Sequence, residues 1–88
     1  MSKEVKLKHP FEFQGQTITA LSFRRPKARD LLLAEKQVQS RSEVEISIYL
    51  AAHLAEVDEK LIHELDAVDY FEIARVIEGF TKEEAGEA

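Results

Sequence analysis

The sequence predicts an α+β domain, an N-terminal β-hairpin followed by a small bundle of three to four helices. Three observations predict it. Apolar and polar residues alternate over residues 5–13, a glycine turn leads into a β-branched segment, and over residues 27–78 the apolar spacing becomes helical and is punctuated by capping side chains.

In the first strand Val5, Leu7, Phe11 and Phe13 share one parity while Lys6, Lys8 and Glu12 take the other, the period of a half-buried strand. Pro10 has no amide N–H, so this strand is expected at a sheet edge or broken at His9-Pro10. Gln14-Gly15-Gln16 supplies the turn, with Gly15 able to take a positive φ, and residues 17–23 form the second strand. Ile18 falls out of parity with Leu21 and Phe23, which predicts a bulge or a change of face there. Arg24-Arg25-Pro26 ends the hairpin, and Pro26 suits the first turn of a helix over residues 27–38. Ser42 and Glu45 have the spacing of a capping box, so a second helix is expected over residues 43–55. Asp58 can cap a short third helix over residues 59–64. Asp66, with Asp69 three residues on, can cap a fourth over residues 67–78, closed by Gly79.

With 88 residues the chain has room for one domain, expected over residues 1–80, and residues 81–88 form an acidic segment with nothing to bury, expected as a flexible tail. An apolar fraction of 44% beside 33% charged residues is that of a folded chain. The sequence contains no cysteine, which excludes disulfides and thiolate metal sites and suits a reducing compartment such as the cytoplasm. No apolar run approaches the roughly 20 residues needed to span a bilayer, and Met1-Ser2-Lys3-Glu4 does not lead into a signal peptide, so no membrane association is expected.

Little in the sequence points to catalysis. His9, His53 and His63 lack the spacing that brings two imidazoles to one metal, and Asp66, Asp69 and Glu72 are explained by capping without an EF-hand glycine. No phosphate-cradling glycine loop and no nucleophile elbow occur. The reading is therefore of a non-enzymatic binding domain without metal or cofactor. Charge is unevenly divided: residues 1–41 carry nine Lys/Arg against four Asp/Glu, and residues 42–88 three against thirteen. Arg24, Arg25, Lys27 and Arg29 form the densest basic cluster, yet a pI of about 5.2 argues against nucleic-acid binding. The cluster is assigned instead to packing of arginine stems, to pairing with Asp30 or the acidic half, and to the rim of a protein-binding surface.

The decisive feature is apolar surplus. The helix over residues 43–55 is apolar nearly all round, leaving only narrow strips at Glu43/Ser47 and Glu45/His53, and is expected to be the buried axle of the domain. The helix over residues 67–78 shows Ala67, Tyr70, Phe71, Ala74 and Ile77 on one face and extends it with Ile73, Val76 and Phe80. That is more than one packing contact needs, so part of it is expected to meet a second copy of the chain or a client protein. The partner-binding residues are placed on the fourth helix and the hairpin: Phe11, Phe13, Phe23, Arg24, Arg25, Arg29, Tyr70, Phe71, Ile73 and Ile77.

Val5-Lys6-Leu7 with His9-Pro10, the turn at Gly15, Ile18-Thr19, the run from Leu21 through Arg25-Pro26-Lys27-Ala28-Arg29-Asp30 to Leu31, and then Ala52-His53-Leu54, Leu61, Leu65-Asp66 and Asp69-Tyr70 together resemble the small tail assembly chaperones of contractile-tailed bacteriophages and prophages. Arg25-Pro26-x-x-Arg29-Asp30 is the most specific part of a resemblance covering about residues 5–78. It implies a chaperone in the bacterial host cytoplasm that binds the tape measure protein, keeps it soluble and promotes tail tube assembly. It also implies that a longer, frameshifted form can extend the tail segment. The alternative is a homo-oligomeric structural or adaptor subunit of a phage tail.

Overall fold

The structure, a computed structural model, describes residues 2–39 and 42–82. Strands β1 (Ser2–Phe13) and β2 (Gln16–Arg24) form an antiparallel hairpin, followed by helices α1 (Ala28–Gln37), α2 (Glu43–Ala55), α3 (Glu59–His63) and α4 (Ala67–Lys82). The expected α+β architecture is the one observed.

Gln14 and Gly15 make a two-residue loop with φ of 52° and 81°, the double positive φ that a type I′ turn requires and that matches the twist of the flanking strands. The irregularity expected near Ile18 lies across the ladder, in β1. Lys6 pairs with Ala20 and Phe11 with Ile18, so residues 7–10 of β1 stand opposite Thr19 alone. The excess is an odd number of residues, and this brings Ile18 onto the face of Phe11 although it is out of parity with Leu21. Pro10, which could donate nothing to a ladder, lies within this bulge.

The core is one cluster. Val5, Leu7, Leu21 and Phe23 from the hairpin pack against Ala51, Ala52 and Leu54 of α2, Leu61 and Ile62 of α3, and Ile73 and Ile77 of α4. Helix α2 touches β2, α1, α3 and α4, as its nearly all-round apolarity requires, although Val44 at its start is exposed. Ser42 Oγ accepts the Glu45 N–H at 3.4 Å, and Asp58 and Asp66 accept from Lys60 and Val68 at 2.8 Å each, so the three predicted caps are in place. Glu56 ends α2 in the left-handed conformation that usually selects glycine.

Two expectations at α4 are corrected. Gly79 does not close the helix, which runs on to Lys82 because Phe80 packs on the core and the Thr81 hydroxyl and Lys82 ammonium both return to Glu78. Thr81 and Lys82 therefore belong to the helix, while residues 83–88 of the expected tail lie outside the described residues. Asp69 is a buried tie to the hairpin: its carboxylate accepts the amides of Lys8 and His9 at 2.8 and 2.9 Å, the N–H groups that the bulge removes from the ladder.

Candidate functional site

Arg24 to Asp30, the most distinctive stretch of the sequence, folds around a buried carboxylate. Asp30 sits in the first turn of α1 and accepts the Lys27 amide at 2.7 Å, so it closes its own helix start. The Arg24 guanidinium reaches it from the end of β2 with two parallel bonds of 2.9 and 3.0 Å, and His53 Nε2 of α2 lies 3.0 Å from Oδ1. The hydrogen bonds from Arg24 hold the Asp30 carboxyl well below the usual carboxylate range against the opposing pull of burial, and the Lys27 amide and the His53 ring act in the same direction. One carboxylate thereby ties β2, α1 and α2 together. Arg25 turns the other way, its guanidinium 5.6 Å from the centre of the Phe80 ring and donating to the Phe80 carbonyl at 3.3 Å. These contacts join the hairpin exit to the last turns of α4.

With β2, α1, α2 and α4 fixed in this way, a groove of about 720 Å³ remains open between the helices. Leu31 forms one wall and Ser47 and Leu50 of α2 also line it, while Phe71, Ala74 and Ile77 line it from α4, Pro26 lies at its margin, and Arg75, Glu78 and Thr81 add polar groups on the α4 side. Phe71 is 63% exposed and Leu31 45%, with Leu32 beside it at 55%. Tyr70 meets the Phe71 ring edge-on at 5.5 Å. Val68 and Val44, both exposed, precede Phe71 and Ser47 by three residues and so extend the apolar surface by a helical turn on each element. Arg75 pairs with Glu72 at 3.0 Å and Lys82 with Glu78 at 3.4 Å, so the charges on this wall are balanced within α4. The groove offers apolar surface with no net charge of its own.

The predicted site residues divide three ways. Phe71 and Ile77 line the groove, and Tyr70 adjoins it. Phe23 and Ile73 are fully buried and Phe11 and Phe13 are half-buried against the core, so the hairpin aromatics stabilise the domain and do not line the groove. Arg24 has an internal partner in Asp30, Arg25 lies over Phe80, and Arg29 is exposed. Leu31, Leu32 and Leu50 complete the apolar surface but were not among the predicted contacts. Their signal is in the sequence: three consecutive leucines, Leu31 to Leu33, sweep about 200° of a helix, and no single packing face can cover them all.

Among the described residues no group of three or more His, Asp or Glu side chains could hold a metal ion, and no helix is long and apolar enough to cross a membrane. A sequence model of the family described as phage tail assembly chaperone proteins, E, or 41 or 14, matches residues 4–82. Neither a curated protein nor a solved structure matches the chain.

Proposed function

The chain belongs to the family of phage tail assembly chaperones, and from that premise we propose that it binds the tape measure protein in the bacterial host cytoplasm, keeps that client soluble and promotes tail tube assembly. The observation that carries this reading is the open groove between α1, α2 and α4, walled by Leu31 and Phe71. A long helical client presents apolar stripes that aggregate when unpaired, and an apolar groove between helices takes such a stripe in its i, i+3/i+4, i+7 spacing. Residues 71–81 of α4 run about 15 Å, three turns of helix to lie along.

The test is co-expression with the tape measure protein of the same phage. The chaperone should raise the soluble yield of that client, and Phe71→Asp should abolish the gain while leaving the chaperone's own thermal unfolding nearly unchanged. An unaltered client yield with the unmodified chaperone sinks the proposal.

A further inference from the structure

The apolar groove does not end at Pro26. The same proline lines a second concavity of about 630 Å³, formed with Arg24, Arg25, Lys27, Arg29 and Glu56. Asp30 neutralises Arg24 and occupies the Lys27 amide, so neither that guanidinium nor the start of α1 supplies the attraction. The side chains of Lys27 and Arg29 do: both residues are exposed and neither makes an ion pair among the described residues. Their two positive charges outweigh the one negative charge of Glu56. The groove is balanced in charge and the basin beside it is positive.

We infer that the groove and the basin, joined at Pro26, form one docking surface for an amphipathic client helix that carries carboxylates at the end lying over Lys27 and Arg29. This rests on the client-binding reading above and adds to it the charge and direction of the bound segment. Carboxylates are most favourable in the first turn of their own helix, where they meet its positive dipole end. The docked helix therefore enters with its N-terminus over the basin and its apolar stripe running along Leu31, Leu50 and Phe71. The basic half of the sequence is thus divided in use, with Arg24 consumed by the fold and Lys27 and Arg29 presented to a partner.

The experiment measures binding of the full chain to labelled model peptides of about 18 residues, long enough to populate a helix, by fluorescence anisotropy at low and high salt. All share one apolar stripe; they carry glutamates in the first turn, glutamates in the last turn, or lysines in the first turn. At low salt the first peptide should bind about five- to tenfold more tightly than the third, as two exposed ion pairs predict, with the second between them, and high salt should compress the differences. K27E/R29E should invert the preference and K27Q/R29Q should erase it, each with an unchanged circular dichroism spectrum. Equal binding of all three peptides, or indifference to K27E/R29E, overturns the inference; if F71D still abolishes that binding, the groove reading survives. Binding that ignores F71D overturns both. A dimer in sedimentation velocity that F71D dissociates would make a second copy the occupant and overturn the inference as well.

Discussion

The junction at Asp30 and the groove at Phe71 invert the usual arrangement of a globular protein in opposite senses. At the first a carboxylate is buried; at the second a phenyl ring stands 63% exposed. Every lone pair of the buried group is addressed, by Arg24, Lys27 and His53, and no buried side-chain polar atom among the described residues lacks a partner. The exposed ring gains no comparable compensation from the fold. The difference teaches what the fold itself accounts for: the polar inversion holds elements together, and the apolar one adds nothing to the packing of the domain. Substitutions at the two sites should therefore separate stability from binding.

The largest effect is expected at Asp30. Asp30→Ala leaves Arg24 and the Lys27 amide facing a vacated site and should cost about 3–5 kcal/mol, enough to unfold much of so small a domain, as read by urea denaturation. Because the folded Asp30 carboxyl lies below its unfolded value of about 3.9, its contribution is complete above about pH 5 and falls away as the pH drops from there toward the lowered folded value. Denaturation midpoints of the unmodified chain should decline over that acid range, and a flat profile there would show that Asp30 is not held as the charged form in the fold. Asp69→Asn comes next, at roughly 2–3 kcal/mol, since an amide can accept only one of the two backbone bonds from Lys8 and His9; amide hydrogen exchange at those two residues should accelerate with it.

Smaller changes sharpen the other side. Gly79→Ala should stabilise by about 0.5–1 kcal/mol, because Gly79 lies inside α4 and a Cβ there meets nothing within 4 Å. Its effect on thermal unfolding would confirm that the helix is continuous through residue 79 in solution. Phe71→Asp should change stability least, by no more than about 0.5 kcal/mol, and client binding most. If Phe71→Asp unfolds the domain, the ring is structural and the contrast between the two sites collapses.

Much of the fold was legible because local chemistry decides it. Parity in residues 5–13, the turn at Gly15, and Ser42, Asp58 and Asp66 as caps are signals within a few residues of their consequences, and each element appears where they place it. The surplus of apolar surface was also legible, in the composition of α2 and α4. Its address was not. Phe23 and Phe71 are the same residue type in amphipathic segments, yet one is wholly buried and the other mostly exposed, because the docking of β2 on α2 covers the first and the packing of α4 on β1 and α2 leaves the second open. The exposure of Leu31 and Leu32 is hidden in the sequence for the converse reason, since a helix with one buried face hides its leucines or shows them according to where its neighbours stop.

By itself, the sequence determined the elements, their order, the apolar excess and the family, all of which depend on residue identities and short spacings. The tertiary structure alone decided that Asp69 serves the bulge of β1 some sixty residues away, that Arg24 is spent on Asp30 while Lys27 and Arg29 remain exposed, and that the open apolar surface lies between α1, α2 and α4 and not on the hairpin. The physical reason is that burial is a property of pairs of surfaces: a chain states which faces are apolar, but which of them remain uncovered is settled only when the elements have packed.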